Sequence, residues 1–136
     1  MTRTERGFLV RYLVVVGRVL FSAIFLMTIL GHFSQGYVGY AAQQGVPAAG
    51  LLVPLSGIIA IAGGLSIALG YKAKIGAWLI VIFLVPVTFT MHNFWAIQDP
   101  MQKIGEMVNF TKNMALIGCA LMFLAIPQPW PHSLGY

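Results

Sequence analysis

The chain contains four long apolar stretches, at about 12–31, 48–70, 75–92 and 107–126. The hydrocarbon core of a bilayer is about 30 Å thick, and about 20 helical residues cross it. Within it each backbone N–H and C=O must be satisfied inside the protein, which a helix achieves over a single segment. The stretches therefore predict an all-α fold, an integral membrane four-helix bundle forming one transmembrane domain over 1–136. Charge supports this. Charged residues make up 8% of the chain, and mean hydropathy is +0.85, whereas a soluble domain carries roughly 25% charge. A soluble enzyme and a disordered tail are excluded on that ground. The net charge of +5 does not indicate a nucleic-acid partner, because the eight basic residues are spread along an apolar chain rather than clustered on one face.

The few charges set an orientation. Arg3, Arg6 and Arg11 precede the first span, and Lys72 and Lys74 lie between the second and third. In a four-span chain these segments share a side. The opposite side has Lys103 offset by Asp99 and Glu106. The positive-inside rule then predicts cytoplasmic N and C termini, with loops 33–47 and 93–106 facing outward. The basic start, the apolar body and Ala41-Ala42 have the outline of a signal peptide, but Arg18 interrupts the apolar core, so the first stretch reads as a retained span.

Local signals complete the map. Gly36, Gly39, Gly45 and Pro47 are expected to break the first loop, and Asp99-Pro100 to turn the third. Pro127, Pro129 and Pro131 should stop the last helix. Trp78, Trp95 and Trp130 fall near the expected interfaces, where belt residues sit. Pro86 should kink the third span. The one cysteine, Cys119, allows no intramolecular disulfide and no CxxC pair; a buried, inert thiol is the expected reading. In the second span Ser56, Ala60, Gly64 and Ala68 recur every fourth residue. Such a stripe lets helix backbones approach closely in lipid, either across a homo-oligomer interface or, as favoured here, against the chain's own helices.

Polar residues at membrane depth carry the functional question, since each needs a partner or a role. Arg18 lies about two turns inside the first span. Its stem is long enough to snorkel to headgroups; otherwise it needs a carbonyl, a lipid phosphate or a partner subunit, because Asp99 and Glu106 fall on the far side. At the outer level, His92-Asn93-Phe94-Trp95 closes the third span, and Asn109, Lys112 and Asn113 share one face of the fourth. With His32 they predict a polar cup of His32, His92, Asn93, Asn109, Lys112 and Asn113. Glu106 is expected to pair with Lys112 or Lys103. Interhelical hydrogen bonding alone would account for the cup. It would equally suit a quinone headgroup or small polar ligand, with Trp95 and Phe94 flanking the ring. No metal site is expected, for want of further ligands beyond the two imidazoles.

Several of these pieces resemble the DoxX family of small four-helix bacterial membrane proteins. Gly17-Arg18, Tyr40, Gly45-Val46-Pro47, Gly57, Gly63-Gly64-Leu65, His92-Asn93-Phe94-Trp95, Asn109-Phe110, Lys112-Asn113 and Gly118 stand in the family's order over roughly 17–125. The chain departs from the pattern in two places. Ala60 stands where a family glutamate commonly precedes the Gly-Gly pair, and His32 replaces a lysine near the end of the first helix. The resemblance implies a bacterial cytoplasmic (inner) membrane location and a link to membrane redox systems. One branch resembles a subunit of thiosulfate:quinone oxidoreductase, and others associate with thiol or superoxide defence proteins.

Three functions follow as expectations. The first is an accessory subunit of a redox or electron-transfer complex, partnered by other membrane subunits and contributing to a quinone or small-ligand pocket. The second is an oligomeric transporter or channel, and the third a purely structural assembly protein. An autonomous enzyme ranks below these: no nucleophile is paired with His92, and CxxC pairs, nucleotide loops and haem motifs are absent from the sequence.

Overall fold

The computed structural model describes residues 3–135. Among them the regular structure is entirely helical. Helix α1 (Arg3–Met27) is followed after Thr28 by one further turn, α2 (Ile29–His32), and the pair acts as a single span. Helix α3 (Gln35–Gln43) lies across the end of the bundle. Helices α4 (Ala49–Leu69), α5 (Ala73–Met91) and α6 (Pro100–Ala125) are the remaining spans, with a 3-10 turn at Phe94–Ala96 before α6. All four spans are long and apolar enough to cross a bilayer.

Two elements differ from the expectations. The segment 33–47 is largely helix rather than a glycine-broken loop. Ser34 caps α3 by accepting a hydrogen bond from the Tyr37 N–H, and Ala41 packs with Ala49, Val53 and Met91. Burial of that face outweighs the weak helix propensity of Gly36 and Gly39. Helix α6 begins seven residues ahead of the expected apolar stretch, because Asp99 accepts from the Gln102 N–H at 2.8 Å and Pro100 occupies the first turn. Both residue types favour a helix start.

Packing runs α1 against α4, α4 against α5, and α5 against α6. Phe21 of α1 meets Phe123 of α6 edge-on with ring centroids 5.0 Å apart, which closes the bundle. The α4–α5 hairpin packs backbone to backbone. A Cβ on Gly63 would lie 3.0 Å from the Gly76 carbonyl oxygen, and one on Gly76 would lie 2.6 Å from the Ser66 side chain. Within the small-residue stripe of α4, Ala60 and Gly64 are buried. Gly64 faces α1, where a Cβ would lie 3.3 Å from Phe25. Helix α5 continues through Pro86 to Met91, and the hydroxyls of Thr88 and Thr90 donate to the carbonyls of Leu84 and Pro86.

The C-terminal tail folds back across the other end of the bundle. Trp130 is 3% exposed and packs on Phe123, so it is a core residue; Trp78 and Trp95 are more than half exposed, as interface residues are. The Leu134 N–H donates to the Leu69 carbonyl at 3.1 Å. Gly70 turns the chain between α4 and α5 with φ +66. A Cβ there would meet Ser133 at 2.7 Å and the Arg18 guanidinium at 2.9 Å, so the tail seats only on a glycine.

Candidate functional site

At the end of the bundle where α3 lies, four elements bring polar side chains together. His32 ends α2. Its Nδ1 lies 3.0 Å from the Thr28 carbonyl oxygen, and its ring sits between Tyr37 of α3 and Phe83 of α5, at centroid distances of 5.2 and 5.6 Å. The missing side chain of Gly57 makes this placement possible, since a Cβ there would lie 2.6 Å from His32 Cβ. His92 terminates α5, with its Nδ1 2.5 Å from Glu106 Oε2 on α6. The same carboxylate accepts from the Asn109 amide at 3.4 Å, and the Asn109 oxygen accepts from Lys112 at 3.3 Å.

These groups surround a cavity of about 110 Å³ lined by His32, Tyr37, His92, Lys112 and Asn113 along with Thr28, Phe83 and Leu116. Asn113 is 5% exposed, and no hydrogen bond among the described residues reaches its side chain. The only described polar side-chain atoms that are both sealed and unpartnered are Arg18 Nε and Ser22 Oγ. The Asn113 amide and His32 Nε2 are therefore unpartnered among the described residues without being sealed, and both residues line the cavity. Burying an amide with no partner is costly, so an occupant that hydrogen-bonds to it would relieve that cost. Burial pushes the Tyr37 phenol above its ordinary value of 10, and Tyr40 and Glu106 add to the shift.

A larger space adjoins this one. A groove of about 330 Å³ runs between α4 and α5 beneath α3. Its walls are almost wholly apolar, with Leu52, Leu55, Ile59, Ile82, Pro86 and Met91 among them. Leu52, Leu55 and Ile82 are also exposed on the outside of the bundle, so the groove opens toward the bilayer. His32, Tyr37, Phe83 and Val87 line both spaces and form their junction.

The expected cup is thus assembled in part. His32, His92, Lys112 and Asn113 share the cavity, and Asn109 stands behind His92 in the Glu106 relay. Asn93 and Trp95 do not line it. Asn93 caps the 3-10 turn, and Trp95 packs outward against Phe89, Phe94 and Phe110. The phenyl and phenol rings beside the cavity are Phe25, Tyr37 and Phe83, not the expected Trp95 and Phe94. Glu106 pairs with His92 rather than a lysine. The pairing was traceable in the sequence: residues 92 and 106 lie equally far from the Asp99 turn, so an antiparallel return sets them at one level. Tyr37 gave no such signal, since it reaches the site only because 33–47 is helical.

Arg18 is not at the lipid surface. It is 3% exposed and donates from its two terminal nitrogens to the carbonyls of Pro131 and His132, at 2.8 and 2.7 Å. The sequence, for want of a carboxylate, predicts headgroup or partner contact instead. Backbone oxygens of the returning tail solve the same problem with no acidic residue. Cys119 is partly buried, near Arg18 along the α1–α6 groove.

Comparison with known proteins adds the lineage. No curated protein and no solved structure matches the chain. The DoxX family model matches residues 13–93, more than half of the sequence. The matched region runs from within α1 to just past His92 and so includes the His32–Gly57 contact and the apolar groove; Glu106, Asn109 and Asn113 lie beyond it. On this match the chain, a membrane-spanning four-helix protein, belongs to the DoxX family.

Proposed function

We propose that the protein is an accessory membrane subunit of a redox or electron-transfer complex, and that its own contribution is a pocket for a quinone-type ligand. One observation carries the reading: a small cavity with several polar side chains in its wall and a larger, almost wholly apolar groove meet at His32 and Tyr37. A ligand matched to both has a hydrogen-bonding ring and a hydrocarbon tail. A cavity of about 150 Å³ takes up benzene, so the polar space approaches the size of one ring. The groove would hold the first part of the tail, and its exposed leucines would pass the rest into lipid. Such ligands dissolve in the bilayer and enter sideways, which suits a site that opens between helices.

The subunit reading draws on the chain's sparse chemistry. His92 and Glu106 are hydrogen-bonded to each other, yet no paired nucleophile or electron-carrying group accompanies them in the sequence, so electrons would be exchanged with a partner protein. The basic residues at 3–11 and 72–74 favour both termini inside, and membership of the DoxX family supports a bacterial cytoplasmic membrane. The cavity would then face the outer leaflet. Isolation from its own membrane in mild detergent tests the assignment. A redox protein should co-purify in fixed ratio, and added decyl-tailed benzoquinone or its reduced form should bind saturably. Isolation always as the lone chain, with neither form binding, would refute it.

A further inference from the structure

The hydrogen-bond partners of the two imidazoles decide which form of a ring ligand the site prefers. His32 Nδ1 faces the Thr28 carbonyl oxygen, which only accepts, so in a neutral ring the proton sits on Nδ1. His92 Nδ1 faces the Glu106 carboxylate, which also only accepts when ionised, and the same tautomer follows. Each ring is then left with a bare lone pair on Nε2. For His32 that atom has no hydrogen-bond partner among the described residues, and the residue lines the cavity; His92 lines the same space. Asn113 and the Tyr37 hydroxyl can act in either sense, and Lys112, the one obligate donor, is exposed at the rim and held by Asn109.

Resting on the quinone-type reading above, we propose that the site selects the reduced, dihydroxy form of its ligand over the oxidised dione. A hydroxyl donates to an imidazole lone pair. A carbonyl oxygen set against the same lone pair is repelled and leaves the nitrogen unsatisfied. A site built to receive a hydroxyl discriminates strongly against an analogue lacking it, because its buried polar groups are then unpaired. Glu106 acts here as a positioning residue: it fixes the His92 tautomer from outside the cavity. Glutamine in its place offers an amide N–H, which lets His92 Nδ1 accept and turns Nε2 into a donor.

The test uses the full chain in lipid nanodiscs at about pH 8. Three probes share one decyl tail: the benzoquinone, the hydroquinone kept reduced under anaerobic conditions, and the redox-inert hydroquinone dimethyl ether. The hydroquinone should bind at least about tenfold tighter than the other two, the equivalent of one good hydrogen bond. Glu106→Gln should keep hydroquinone binding measurable while the preference over the dione falls to about threefold or less. Equal affinity for all three probes, tighter binding of the dione, or an unchanged preference in Glu106→Gln would overturn the proposal and leave the quinone-type reading standing. Failure of all three to bind would overturn that reading and this proposal with it.

Discussion

Replacing Arg18 with methionine separates the two costs that meet at a buried cation. The thioether keeps the apolar stem and removes the charge together with both hydrogen bonds to the tail, at 2.8 and 2.7 Å. Hydrogen bonds to a charged donor contribute about 1.5–3 kcal/mol each, so tail attachment loses up to about 3–6 kcal/mol. Against this, the desolvation of a guanidinium costs several kcal/mol, and that cost also disappears. Global stability should therefore change little, in either direction. Attachment of the tail should change much more, because Trp130 packing and the Leu134–Leu69 hydrogen bond must hold it alone. A loss of about 3 kcal/mol, the low end, raises the open population on the order of a hundredfold. Amide hydrogen exchange in nanodiscs reads this directly. The Leu134 N–H should exchange on the order of a hundredfold faster in Arg18→Met, while amides in the middle of α4 keep wild-type protection. Arg18→Lys should fall between, since an ammonium lacks the planar fork that serves two carbonyls. Wild-type protection of Leu134 in Arg18→Met would refute the idea that Arg18 holds the tail.

Other perturbations reach the site and the topology. Gly57→Ala places a methyl group where His32 Cβ now lies 2.6 Å from the ideal position; it should keep the helical circular dichroism and weaken binding of the tailed hydroquinone by at least about tenfold. Tyr37 titrates late because it is buried. Below pH 10 it is neutral whether the chain is folded or unfolded; above that the unfolded state ionises first, so stability should fall as pH rises, and a denaturation series should show a shallower alkaline loss in Tyr37→Phe. With both termini inside, a cysteine at Lys103 should react with a membrane-impermeant maleimide in intact cells, and one at Lys74 only after lysis. The reverse pattern would invert the proposed orientation.

The spans were legible because their cause is local. About 20 apolar residues bounded by charge or proline mark a helix in lipid whatever surrounds them. Part of the polar cup was legible for the same reason, since His92 and residue 106 end up at one depth by counting along antiparallel helices. What escaped the sequence depends on chain segments meeting at a distance. Arg18 and the carbonyls of Pro131 and His132 lie more than a hundred residues apart, and a backbone carbonyl has no residue type to search for. Trp130 looked interfacial for its position in the sequence and is buried because the tail folds back. Tyr37 entered the site through α3, whose glycines read as loop until Ala41 finds its packing partners.

On the proposed function, the cavity lined by Asn113 and the two imidazoles takes the head of a membrane-dissolved quinone-type ligand. Native mass spectrometry of the protein released from its own membrane tests it most directly. A stoichiometric adduct with the mass of a quinone or quinol is expected, carried by the wild-type chain and depleted in Asn113→Leu. Wild-type chains carrying only phospholipid, or an adduct equally retained in Asn113→Leu, would contradict it.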